Sequence, residues 1–322
     1  MALAITPRPF ASIRHDQFDV YSEGLGAYTI DVSIPSNISP HARLPVIIVL
    51  DGNLIFDLVQ TIAHGRFAQT AGPVPPAIVV GVGYPASEGF ASYYARRNFD
   101  FHGPWDMRDA LGVQLQQLFA MLKSGESKPH LQMGAGGYTR FLGFLRDELL
   151  PSLCAHYPID LTARHTLIGD SSGGHFALRA LFDPTSPFSR YIAISPSLGT
   201  APGEIEAAAA AYAAKHGDLA VDVFVCAGAV EVDESVPIAL CRFGSAPIWA
   251  AEQFAIQQWP SARFSWEIMN NENHTSIAPR AIAAGLRAVH GLRPGVHTSE
   301  LVAATMETQA RLVGQSDPSA RS

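Results

Sequence analysis

The apolar residues of this chain fall into two alternating rhythms, short β-branched runs and longer helical stripes. "PVIIVLDG" (45–52) and "AIVVGVGY" (77–84) are continuous apolar runs that stop at turn residues, the pattern of strands covered on both faces in a parallel sheet. "YTIDVSIP" (28–35) alternates apolar with polar, as a half-exposed strand does. Further strands are predicted at "HTLIG" (165–169), "RYIAIS" (190–195), "VDVFVCAG" (221–228) and "RFSWEIM" (263–269). Helical stretches fall between them. "TRFLGFLRDELLPSL" (139–153) sets Phe141, Leu145 and Leu149 four apart, with Leu142 and Leu153 near the same face. Pro151 is expected to kink or end that helix. "GEIEAAAAAYAAKHG" (203–217) is expected to stop at His216-Gly217. "SAPIWAAEQFAIQQW" (245–259) and "SIAPRAIAAGLRAVHG" (276–291) continue the alternation. The result is an α/β class, with a mostly parallel central sheet flanked by helices and joined by right-handed connections.

Residues 100–137 break this rhythm. A short amphipathic piece, "LGVQLQQLFAML", lies between "FHGPWD" and "KSGESKPHLQMGAGG", whose composition favours Gly, Pro and Ser. The segment is expected to be an insertion over one edge of the sheet, either a lid or substrate wall or plain surface decoration. No internal repeat or low-complexity linker divides the chain, so residues 1–295 are expected to form one domain. Residues 296–322 are expected to be a tail, partly helical or disordered.

Composition narrows the function classes. The 322 residues are 48% hydrophobic and 16% charged, enough to bury a sizeable core. With 22 basic against 29 acidic residues the net charge is -7. No basic stripe is present, so no nucleic-acid partner is expected. The three cysteines, Cys154, Cys226 and Cys241, are odd in number and fit no zinc spacing, which points to reduced thiols. Pro7 and Pro9 interrupt the apolar run a signal peptide needs. No stretch approaches the roughly 18 apolar residues of a membrane span. The cytoplasm is therefore the expected compartment, and the oligomeric state is left open.

The chemistry concentrates at "HTLIGDSSGG" (165–174), which runs from a predicted strand into the helix-like "HFALRALF". Gly169, Ser171 and Gly173 have the G-x-S-x-G spacing of a nucleophile elbow. Such a turn lifts a serine above the strand end, and the helix that follows offers free N–H groups to an oxyanion. A serine hydroxyl still needs a base. In this architecture the acid and then the histidine follow in chain order. "AVEVDE", just past the strand 221–228, offers Glu231, Asp233 and Glu234, and "NNENHTS" offers His274 between a predicted strand and helix. The N–H of Ser172 is one expected oxyanion donor. His175 is expected to pack as the elbow helix begins, and His64, His156, His216 and His290 look like helix-end or surface positions. No metal-site spacing, P-loop or dinucleotide fingerprint is present, so no cofactor is expected.

With these residues in place, the sequence resembles the "putative esterase" (esterase D-like) family of α/β-hydrolases, in particular its siderophore-esterase branch. The resemblance runs from about Leu44 to His290 and rests on "VLDGNLIFD", "VVGVGYP", "RFLGFLRDELLP", "LIGDSSGGHFALRALF", "YIAISPSL" and "NENHTSIAPRAIAAGLR". It implies an α/β-hydrolase fold and a serine esterase acting on a small-molecule ester. It carries Ser171 to the nucleophile position and His274 to the base position. Glu231 matches the family's G-x-x-E, here Gly228 to Glu231, with Asp233 as the alternative acid. "DGN" (51–53) stands where the family supplies its second oxyanion donor, which assigns that role to the main-chain N–H of Asn53. The chain departs from the family in two places: Asp170 precedes the nucleophile, and "RRNFDFHGP" (96–104) stands where siderophore-type relatives tend to read "RDLTP".

That second segment supplies Arg96, Arg97 and His102, a candidate anion grip or else solvated surface charge. Tyr93, Tyr94, Phe99, Phe101 and Trp105 make it aromatic, which suits an apolar or aromatic acyl group. Arg97, Phe101 and Trp105 are accordingly the substrate-binding candidates. The leading expectation is a serine carboxylesterase with an acyl-enzyme intermediate. The alternatives are an acyltransferase using the same nucleophile and an inactive hydrolase fold serving as a binding module.

Overall fold

In the computed structural model the described residues are 13–35, 38–39, 41–64, 74–123 and 132–291. The expected N-terminal and C-terminal features lie outside them. The eight strands are β1 (Ile13–Ser22), β2 (Gly26–Pro35), β3 (Val46–Leu50), β4 (Ile78–Gly83), β5 (His165–Asp170), β6 (Phe188–Ile194), β7 (Asp222–Gly228) and β8 (Arg263–Met269). They form one sheet in the order β1-β2-β4-β3-β5-β6-β7-β8. β1 pairs antiparallel with β2, and β2 antiparallel with β4. From β4 through β8 every pairing is parallel.

The continuous apolar runs occupy the middle of this sheet. Every residue of β3 and β4 is buried, because helices cover both faces there. Val46, Ile48 and Leu50 point into one core and Ile47 and Val49 into the other, the period-two alternation of a pleated strand. β1 was not foreseen. Its sequence, IRHDQFDVYS, is largely polar, and His15 and Gln17 both contact the Asp31 carboxylate of β2. Charged, polar edges of this kind deter further strand addition.

The helices are α1 (Gly52–His64), α2 (Phe90–Phe101), α3 (Ala110–Lys123), α4 (Tyr138–Gly143), α5 (Leu150–His156), α6 (Ser172–Ala180), α7 (Glu204–Ala213), α8 (Val236–Cys241), α9 (Ser245–Gln257) and α10 (Ala278–His290). α4, α5, α6, α7 and α9 contribute to the larger core, α1 and α10 to the other. Pro151 does not end its helix. α4 continues through a π-helical turn, Phe144–Leu149, into α5, which carries Pro151 in its first turn. The wider turn accommodates the ring where a regular helix would set it against a carbonyl one turn back. α7 ends at Ala213, ahead of the expected His216-Gly217 stop.

α2 extends to Phe101, so the irregular segment begins after it. Its amphipathic piece forms α3, which buries Leu111 and Phe119 and packs against α2 and α8. Since α2 follows β4 and α8 follows β7, α3 lies across the carboxyl ends of the strands. Among the described residues no helix is long and apolar enough to cross a membrane. Truncating Ile48, fully buried in β3, is expected to cost about 2–5 kcal/mol. A urea midpoint should register that loss, while turnover per folded molecule stays unchanged.

Candidate active site

The carboxyl end of β5 turns sharply. Asp170 closes the strand, Ser172 opens α6, and Ser171 between them sits at φ 59°, ψ -119°. That left-handed backbone is costly for any residue with a Cβ. Two hydrogen bonds fix it: Ser171 N–H donates to Ile194 O of β6 and His175 N–H donates to Ser171 O, each at 2.9 Å. Gly169 is required for packing, since a Cβ there would lie 2.0 Å from Gly173 O. The turn lifts the Ser171 hydroxyl clear of the sheet and leaves the Ser172 N–H in the first helical turn, where amides lack an intrahelical acceptor.

His274, on the loop after β8, places Nε2 3.1 Å from Ser171 Oγ. Its Nδ1 lies 2.5 Å from Glu231 Oε1. The other Glu231 oxygen accepts the Ser195 hydroxyl at 2.9 Å and the Gly228 N–H at 2.7 Å, so this 1% exposed carboxylate is fully engaged. Phe243 stacks on the imidazole, centroids 4.3 Å apart and planes 14° apart. Asp233 is exposed, and Glu234 accepts the His274 backbone N–H at 3.3 Å. Burial works to lower the His274 pKa, yet the hydrogen bond and charge of Glu231, with the charge of Asp170, carry it above the ordinary 6.5. Burial also pushes the Asp170 carboxyl up to about 6, against the pull of His274 and Arg97.

The opposite wall comes from the loop after β3. Asn53 lies in the first turn of α1, and its side chain bridges the end of β4: Nδ2 donates to Tyr84 O at 2.9 Å and Oδ1 accepts the Tyr84 N–H at 2.7 Å. Gly52 admits no side chain, because a Cβ would lie 2.9 Å from the Gly81 backbone. Asn53 N–H and Ser172 N–H thus belong to the first turns of two helices rising from neighbouring strands.

The substrate-binding candidates have other occupations. Arg97 pairs with Asp51, Nε to Oδ1 at 2.7 Å and Nη2 to Oδ2 at 2.8 Å. Phe101 is 1% exposed and packs against Phe141 and Phe176 in the core. Half-buried Trp105 donates its indole N–H to Asp109 at 2.6 Å. Arg96 bonds Glu88 and the carbonyls of Ala27 and Leu25, and His102 is buried against Asn98 O. Ser195 and Phe243 are the site residues that sequence reasoning missed. Their partners are 36 and 31 positions away, and neither carries a local motif. Among the described residues no group of three or more His, Cys, Asp or Glu could hold a metal ion.

Residues 124–280 match the family described as "Putative esterase". The ferri-bacillibactin esterase BesA of Bacillus subtilis (strain 168) is 28% identical over 268 residues, 82% of this chain and 85% of that protein. The siderophore triacetylfusarinine C esterase of Aspergillus fumigatus is 31% identical over 196 residues, 60% of this chain and 59% of its own. Among solved structures, the BES protein from Bacillus cereus superposes with a TM-score of 0.68 at 26% identity, covering 90% of this chain and all of that one.

The His274 environment has a direct readout. An NMR titration of its ring protons should give a pKa above 6.5. Glu231→Gln should lower it, because the charge favouring the imidazolium goes while the burial opposing it stays.

Proposed function

We propose that this chain, whose residues 124–280 match the "Putative esterase" family, is a carboxylic ester hydrolase that cleaves its ester through Ser171, His274 and Glu231 by way of an acyl-enzyme. The contact of Ser171 Oγ with His274 Nε2 at 3.1 Å is the observation that carries this reading.

Ser171 Oγ attacks the ester carbonyl as His274 Nε2 takes its proton. Glu231 accepts the Nδ1–H, fixing the tautomer and countering the imidazolium charge. The oxyanion is received by the N–H groups of Ser172 and Asn53, each in the first turn of its helix, where the helix dipole is positive. Collapse breaks the C–O bond, and His274 returns the proton to the departing alcohol. Water, deprotonated by the same imidazole, then releases the acid and restores Ser171. The relatives act on siderophore esters by name, which supports an ester of that class as the substrate here.

Wild type should hydrolyse 4-nitrophenyl esters from acetate to octanoate, the chain-length optimum sizing the acyl pocket. Ser171→Ala should lose at least about 10³-fold in kcat, leaving the residue supplied by binding and the oxyanion hole. Wild-type rates in that variant would refute the proposal.

A further inference from the structure

Arg97 takes no part in the proposed chemistry, yet it is held beside it. It reaches from α2 into the space between the two strand ends that build the candidate oxyanion hole. Its Nε and Nη2 engage both oxygens of Asp51 at 2.7 and 2.8 Å, and Nη2 also donates to Asp170 O at 3.1 Å. Asp51 stands two residues before Asn53, and Asp170 immediately before Ser171. One guanidinium therefore grips both walls at the base of the hole.

The sheet itself does not hold these walls together. β3 and β5 pair from Ile47 with Thr166 to Val49 with Ile168, and the ladder stops there. Leu50 to Asn53 and Gly169 to Ser172 continue upward beyond it. Asp51 turns there with φ at 52°, a left-handed conformation that surrounding contacts must hold in place. It accepts the Tyr93 hydroxyl at 3.0 Å as well as the Arg97 fork. The guanidinium is braced by the Phe101 ring, 5.4 Å away. The side chains are 13% and 2% exposed for Arg97 and Asp51, so the pair is largely screened from water and geometrically fixed. A planar bidentate fork of this kind locks orientation as well as distance, which an ammonium on a flexible stem does not.

We propose that Arg97 is a positioning residue that fixes the spacing and orientation of the Asn53 and Ser172 donors, and that it does not hold the charge of the substrate. The inference rests on the oxyanion-hole assignment above. Its consequence is a specific kinetic signature. A loosened hole weakens transition-state binding and lowers kcat, with little effect on how the ground-state ester binds.

The test compares neutral 4-nitrophenyl octanoate with anionic mono-4-nitrophenyl suberate in wild type, Arg97→Lys, and the double variant Asp51→Asn/Arg97→Gln. The double variant removes both charges, so neither is left buried without a partner. Circular dichroism and a thermal midpoint check folding. Displacing a donor by about 1 Å can cost on the order of 10²-fold; both variants should therefore lose about 10- to 100-fold in kcat, equally for the two esters, with KM nearly unchanged. A rise in KM confined to the anionic ester, with kcat kept, would make Arg97 a substrate grip and overturn the proposal. Unchanged kcat in the folded variants would overturn it as well. Ser171→Ala, measured on both esters, separates this from failure of the underlying reading: activity surviving there would refute the nucleophile whatever Arg97 does.

Discussion

The left-handed backbone of Ser171 is the constraint on which the site depends. Holding a serine at φ 59° costs about 1–3 kcal/mol, so the surroundings must determine it. They do so from both sides: β6 accepts its N–H through Ile194, and the first turn of α6 is tied to its carbonyl through His175. Gly169 removes the side chain that would strike Gly173. The same turn aims the hydroxyl at His274 and opens a helix start beneath it. The direction of the Ser171 hydroxyl and the free Ser172 N–H, the two features the proposed mechanism uses, are thus results of one backbone conformation.

Around that turn the charges are arranged against the tendency of burial. Desolvation disfavours an imidazolium at His274, but Glu231 and Asp170 outweigh it and the ring is held above its ordinary value. At 1% exposure the Glu231 carboxyl is fully hydrogen-bonded, Ser195 and Gly228 satisfying one oxygen and His274 the other. Asp170 has no such set of partners: its Oδ1 is buried without a hydrogen bond, and burial lifts it to about 6. Asp51 and Arg97 form the third arrangement, a buried pair in which each charge answers the other. The three carboxyl groups lie in one site and differ in the hydrogen bonds each receives.

Much of this was legible in the sequence because it is local. The runs VIIVL and IVVGVG are apolar throughout because both faces of the sheet are covered, and the structure places strands there. The G-x-S-x-G spacing marked the turn because the glycine requirement is met within five residues. What was missed is non-local or polar. β1 reads as a polar stretch because it is an edge strand, whose His15 and Gln17 are held on Asp31 of β2. Arg97 reads as an anion grip or as solvated surface charge because its partner Asp51 lies 46 positions back, and Phe101 as a substrate-binding candidate because aromatic content does not tell a core from a cleft. Composition could not separate Glu231 from Asp233. The short helical turn at Val230–Val232 does, burying the first and leaving the second in solvent.

Ser171 Oγ is the atom proposed to carry the acyl group, and every other role in the site follows from it. The most direct measurement is intact-protein and peptide mass spectrometry after treatment with diisopropyl fluorophosphate, with residual ester turnover followed in the same samples. One diisopropylphosphoryl group per chain, located on Ser171 and accompanied by a proportional loss of turnover, is the expected result. Modification at another residue, or full turnover in protein whose Ser171 is completely blocked, would contradict it.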